Sequence, residues 1–173
     1  MKNRIETKKK YSEALRISDV LKDRLKINRH FDLDKTLSFI LDDIHEKFGF
    51  EGITIFLLNK EKTALKSYKY LVAENVISQE AIDELVEMEL DFNSPDGGVA
   101  AYVIHKNVHV YAKEIDPNLL DTPQMKRIYE LTQIKSNLLM PLEIYGEVLG
   151  MIAFPGYTKK VDLSDEEVLK LKD

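Results

Sequence analysis

The chain has 173 residues, 44% hydrophobic and 32% charged, with a formal net charge of -5. That size suits one domain with an appendage, and the composition is that of a globular chain rather than a disordered one. The acidic balance argues against wholesale nucleic-acid binding, the absence of cysteine excludes disulfides, thiolate metal sites and cysteine nucleophiles, and no run approaches the ~18 apolar residues of a membrane span.

The N-terminus, MKNRIETKKK, is charged with no apolar core behind it, so it is not a signal peptide and a cytoplasmic location is expected. Residues 1–30 carry ten Lys and Arg against four Asp and Glu. In YSEALRISDVLKDRLKI, Ala14, Ile17, Val20, Leu21 and Leu25 recur at helical spacing, which predicts a projecting helix with a narrow apolar stripe and a solvated basic face. DLDKTLSFILDDIHEKFGF predicts a second helix, with Leu37, Ile40, Leu41, Ile44 and Phe48 on one face, Asp34 at its start and Gly49 at its end.

GITIFLLN is a β-branched, apolar run without alternation, expected as a strand buried on both faces. After the polar turn NKEKT, ALKSYKYLV predicts its antiparallel partner. Strict alternation puts Tyr68, Tyr70 and Val72 on one face and Leu65, Ser67, Lys69 and Leu71 on the other. SQEAIDELVEMEL reads as an acidic helix capped by Ser78, with Ile82, Leu85, Val86 and Met88 inward. SPDGGVAAYVIHKNVHVY reads as a glycine entry, a short helix, a turn at Lys106-Asn107 and a core strand.

DTPQMKRIYELTQI predicts a helix capped by Thr122, with Pro123 at its first position and Ile128, Leu131 and Ile134 buried. SNLLMPLEIYGEVLGMIAFPG carries the strongest β signal: two apolar runs flank Tyr145-Gly146, a hairpin turn with positive φ at the glycine. LSDEEVLKLKD starts a helix, with Ser164 and Glu167 as a capping box and Leu163 and Val168 as a staple. Only about two turns of it follow, which suggests a fragment cut before a further domain. The element order predicts an α+β fold: a mainly antiparallel central sheet with helices on both faces, and room for a pocket under the middle helices.

Catalytic motifs are not found. The sequence lacks G-x-S-x-G, G-x-x-x-x-G-K-[ST] and H-E-x-x-H, and Asp42-Asp43 diverge by ~100° on a helix. His105 and His109 have metal-pair spacing only if both lie on one helix. The turn at Lys106-Asn107 makes them rim histidines instead. No metal or resident cofactor is expected. Gly97-Gly98 has two readings: free amides at a helix start that favour a singly charged anion, or a plain turn needing positive φ.

SNLLMPLEIYGEVLGMIAF followed by LSDEEVLKL resembles the GAF family, with its Ser before the strand, its PL within it, its Gly-turn-Gly pattern and its acidic capped helix. GGVAAYVIHKNVHVYAKEID and FLLNKEKTALK are similar to that family's central segment and first hairpin. The resemblance covers about residues 30–173, leaving 1–29 as an N-terminal signalling and dimerisation helix, with the domain truncated in its C-terminal helix.

The resemblance implies a GAF/PAS-like sensor that is not itself an enzyme. It implies a small-molecule ligand, with a cyclic nucleotide (cAMP or cGMP) first, and a homodimer through the end helices. It also implies a C-terminal output domain, a diguanylate or nucleotide cyclase before a histidine kinase. The alternative it leaves is a ligand-free structural dimerisation module. The absence of cysteine rules out a covalent bilin. The implied pocket would use Phe56 and Leu58 as floor and Tyr70 as a stacking ring. Gly97, Gly98, Val99 and Ala100 would supply amides. Asp116, Asp121, Thr122, Gln124, Tyr129 and Asn137 would read polar edges.

Overall fold

The computed structural model describes residues 33–91 and 98–171. The helix expected near residues 10–27, and Gly97 with the turn before it, lie outside the described residues. The chain divides into two units, residues 1–40 and 41–173. The packing described below belongs to the second.

Helix α1 covers Leu33–Phe48, so Asp34 falls inside it rather than at its cap. Leu41 is buried and Ile44 and Phe48 are half-buried, as the spacing requires. Ile40 is exposed. At 100° per residue it lies about 70° from the centre of the stripe formed by Leu37, Leu41, Ile44 and Phe48. Gly49 ends the helix, its amide donating to His45 O at 2.8 Å.

Six strands form one sheet in the order β3-β2-β1-β6-β5-β4, and every neighbouring pair is antiparallel. The strands are β1 (Gly52–Leu58), β2 (Ala64–Val72), β3 (Glu89–Asp91), β4 (Val110–Ala112), β5 (Ser136–Ile144) and β6 (Glu147–Gly156). The helices that follow α1 are α2 (Gln79–Glu87), α3 (Gly98–Lys106), α4 (Pro123–Thr132) and α5 (Asp165–Lys170). The α+β class and the mainly antiparallel sheet therefore match the sequence.

Two expectations fail at the sheet's edges. The acidic helix ends at Glu87, and Glu89–Asp91 instead pairs with Ala64–Lys66 as an edge strand. The strand expected from Val108 begins at Val110 and is the opposite edge, half-buried rather than core. In both places three residues pair because a neighbour offers free backbone groups, which short-range propensity does not report.

A third difference concerns faces. Ile55 pairs with Lys69 but Phe56 pairs with Ser67, so Tyr68 is the additional residue of a β-bulge. A bulge flips the alternation beyond it. Ser67 therefore shares a face with Tyr70 and Val72, the opposite of what strict alternation assigned.

One core cluster contains Leu65, Val103, Ile104, Leu139, Met151 and Ala153, where α3 packs on β5 and β6. On the other side of the sheet the Phe50 and Phe154 rings pack in a tilted arrangement, 4.6 Å between centroids and 37° between planes. On that side Tyr111 donates its hydroxyl to Val161 O at 2.6 Å and accepts from Leu163 N at 3.0 Å. Ser136 Oγ accepts from Val161 N at 2.6 Å. These bonds hold the approach to α5, whose capping box between Ser164 and Glu167 is complete. Leu163 and Val168 are both buried.

The β5–β6 turn has left-handed φ at both central residues, 52° at Tyr145 and 80° at Gly146. That is the primed geometry that matches strand twist, and it suits Asn-Gly better than Tyr-Gly. Tyr145 is 94% exposed, so its ring contributes no packing. Tyr145→Asn should raise stability by about 0.5–1 kcal/mol in urea unfolding. A loss of stability would show that the ring has a role of its own.

Candidate ligand cavity

The cavity-facing side of the sheet is fixed by pairing. Thr54 stands opposite Ala153, Phe56 opposite Met151, Val110 opposite Leu139 and Asn137 opposite Pro155. These side chains floor a cavity of about 240 Å³. Helices α2 and α4 form its roof, through Ile82, Leu85, Met125 and Ile128, and Val99 and Ala100 of α3 form its side.

The roof is tied together at its outer surface. Arg127 Nε and Nη2 donate to the Glu84 carboxylate at 2.6 and 2.7 Å, joining α4 to α2. That bond holds the Glu84 carboxyl below the usual carboxylate range and the Arg127 guanidinium above its own. Gln124 Nε2 donates to Glu89 O at 3.0 Å, fastening the start of α4 to β3.

Among the described residues that line the cavity, none carries a formal charge. The polar groups are Thr54, Ser67, Tyr70, Thr122, Gln124, Tyr129, Asn137 and Tyr157. Burial, with the nearby Glu51 charge, pushes the Tyr157 phenol above its ordinary value, so it stays neutral. Ser67 Oγ and Asn137 Oδ1 are buried and have no hydrogen-bond partner. Both belong to the cavity wall.

The structure brings together Phe56, Tyr70, Val99, Ala100, Thr122, Gln124, Tyr129 and Asn137 from the residues expected by sequence. Tyr70 is 43% exposed and stands at the mouth. Thr122 is buried, and its Oγ1 also caps α4 by accepting from Met125 N at 3.1 Å. The other described candidates lie off the wall. Leu58 packs against the Leu65 and Met151 cluster instead. Gly98 abuts α4, where an added Cβ would meet Thr122 Cγ2 at 3.3 Å. Asp116 caps the 3-10 turn Pro117–Leu119, its Oδ1 accepting from Asn118 N at 2.9 Å. Asp121 is exposed beside Thr122. Gly97 lies outside the described residues.

His105 stands on α3, and His109 follows Asn107, whose φ of 53° breaks the helix. The two therefore do not share one helical face. Sequence reasoning missed Ser67, which the bulge turned inward, and Tyr157, which follows β6 with no local signal. It also missed Thr54, read only as part of a buried strand.

No protein-family model matches the chain, and no curated protein does. Solved structures do. The GAF domain/HD domain protein from Geobacter sulfurreducens is 14% identical with a TM-score of 0.65, over 82% of this chain and 86% of that one. The GAF domain of a phosphoenolpyruvate-protein phosphotransferase from Acinetobacter is 14% identical with a TM-score of 0.58, over 89% and 84%. The photoproduct state of a GAF domain from Synechocystis sp. PCC6803 is 10% identical with a TM-score of 0.64, over 82% and 87%. The likeness is one of fold, and the fold of this chain is the GAF fold.

Proposed function

We propose that this is a regulatory sensor domain. A small molecule occupies the cavity, and its binding shifts the helices that lead to an output domain. One observation carries the reading. The sheet has the cavity on one face, while Tyr111 and Ser136 grip the approach to α5 from the other. A ligand that favours one arrangement of β4 and β5 then biases the position of α5 by its differential affinity. Two of the similar structures come, by their names, from a GAF/HD protein and a phosphotransferase, which supports reading this chain as one part of a larger signalling protein.

The proposal includes a homodimer through the end helices and a C-terminal output domain, with a cyclase as first candidate. Chemistry is assigned to that output domain. No carboxylate, imidazole or amine stands among the described lining residues to act as acid or base. The cyclic nucleotide expected from the sequence brings a ring system for Phe56 and Tyr70. It also brings a phosphate charge that no described lining side chain neutralises. The lining supports a neutral ligand better.

The test pairs native mass spectrometry of gently purified protein with thermal unfolding in the presence of cAMP, cGMP and neutral planar compounds. At a hundredfold excess over Kd a true ligand adds ~2.7 kcal/mol of stability. A retained small molecule, or a shift with any compound, supports the sensor. An empty cavity and no shift throughout would leave the ligand-free dimerisation module.

A further inference from the structure

We infer that the ligand seats at the Asn137 end of the cavity, as a neutral planar molecule of two fused rings. One edge gives a hydrogen-bond donor to Asn137 Oδ1, and the opposite edge offers an acceptor to the Tyr157 hydroxyl. This rests on reading the cavity as a ligand site. Its warrant is an orphaned atom beside a built floor. A buried polar atom without a partner is costly and uncommon, and most find one in the fold or in ordered water. Asn137 Oδ1 is such an atom, and it belongs to the cavity wall.

The strand register builds the floor around it. Asn137 stands opposite Ala112 on β4 and Pro155 on β6. Thr54 pairs with Ala153, so Gly52, two residues earlier on β1, is level with Pro155. Gly52 leaves that row without a side chain, and Tyr157 fills the space. A Cβ at Gly52 would meet Pro155 Cγ at 2.8 Å, Tyr157 Cε2 at 2.9 Å and the Tyr157 hydroxyl at 3.4 Å. The hydroxyl therefore lies over β1, two strand spacings or about 10 Å from the Asn137 backbone, with Pro155 between them. The reach of the Asn137 side chain and the length of two hydrogen bonds shorten that span to one that fused rings can bridge.

Tyr157 is held in place for this contact. Its backbone amide donates to Glu51 Oε2 at 2.7 Å, and burial keeps its phenol protonated and able to donate. The other orphaned atom, Ser67 Oγ, stands apart. Ser67 is opposite Phe56, Phe56 opposite Met151, and Met151 opposite Pro141. That places Ser67 three strands across and four residues along from Asn137, roughly 20 Å on a flat sheet. A molecule seated at Asn137 does not reach it.

Size and charge complete the class. A cavity of about 150 Å³ accommodates benzene, so 240 Å³ admits two fused rings. An ionised group would meet no counter-charge among the described lining residues, and burying an unpaired ion is strongly unfavourable.

The experiment uses 5-methoxyindole as probe, with a ring N–H at one edge and an ether oxygen at the other. Among its comparators, 5-methoxy-1-methylindole lacks the donor, 5-ethylindole lacks the acceptor, and 5-methoxyindole-2-carboxylate adds a charge. In calorimetric titration the probe should bind the wild type about tenfold more tightly than either neutral comparator. Asn137→Leu should erase the penalty for losing the donor, Tyr157→Phe the penalty for losing the acceptor, and Ser67→Ala neither. Should Asn137→Leu fail to fold, the Tyr157→Phe arm decides alone. A penalty that survives its matching substitution, equal affinity for the three neutral compounds, or tightest binding of the carboxylate would overturn the inference and leave the cavity reading standing.

If none of these compounds binds, native mass spectrometry of the gently purified protein decides. A retained molecule that is lost on Asn137→Leu and on Tyr157→Phe but kept in Ser67→Ala supports the inference, and any other pattern of retention overturns it. An empty cavity with no probe bound defeats the sensor reading and this inference together.

Discussion

Gly150→Ala should leave the protein at least about 3 kcal/mol less stable, or unfolded. Gly150 sits on β6 opposite Leu57 of β1, at the centre of the sheet. A Cβ there would lie 2.0 Å from Phe56 O and 3.0 Å from Leu57 Cα. These are backbone atoms, so no rotamer change relieves the clash. The two central strands would have to separate by about an ångström, weakening their shared ladder and shifting Phe56 within the cavity floor. Gly146→Ala is the control. Nothing lies within 4 Å of its Cβ, and its cost is the left-handed conformation alone, about 1–2 kcal/mol. Urea unfolding of both variants separates sterics from conformation. A cost at Gly150 no larger than at Gly146 would sink the argument.

Glu51→Ala should lose about 3 kcal/mol at neutral pH. Glu51 is a buried carboxylate just before β1. It accepts from the Tyr157, Thr158 and Lys159 amides at 2.7, 2.9 and 3.3 Å, and from the Thr158 hydroxyl. Removing it strands those amides. Burial pushes the Glu51 carboxyl up, but the bonds from the Thr158 hydroxyl and the three amides together outweigh burial and hold it below the ordinary range.

A carboxyl depressed in the folded state contributes stability that is complete above the unfolded value, near ~4.3, and is lost as pH falls through the folded value. The wild type should therefore lose stability on acidification below about pH 5, progressively as pH falls past the unfolded value and through the folded one. Glu51→Gln keeps an acceptor for the amides, costs less than Ala at pH 7, and flattens that acid limb. Parallel acid limbs for wild type and Glu51→Gln would show that Glu51 is not the group responsible. Because Tyr157 lines the cavity, the Ala variant should also bind any cavity ligand more weakly.

The features legible in the sequence were those set by neighbours in the chain. Ser78, Thr122 and Ser164 cap their helices because a short hydroxyl can reach an amide three residues on, a relation contained in four letters. Tyr145-Gly146 between two apolar runs announces its hairpin in the same way. What stayed hidden depends on partners far along the chain. Glu89–Asp91 becomes a strand only because β2 presents an open edge. Ser67 faces the cavity only because the β1–β2 ladder absorbs one extra residue at Tyr68. The site was legible to a similar degree. Of the candidates, Phe56 and Thr122 line the cavity, while Asp116 and Asp121, chosen for their polarity, lie off its described wall, which carries no charge.

The alternation along β5 has one more consequence. Asn137 and Leu139 face the cavity, while Ser136 on the opposite face holds the chain that enters α5. Recognition and anchoring thus occupy alternate letters of one short word. Substitution at Asn137 or Leu139 can change the cavity wall while Ser136 keeps the same grip on the approach to the last helix. Under the proposed sensor reading, a lineage could exchange its ligand without rebuilding the anchoring of its last helix.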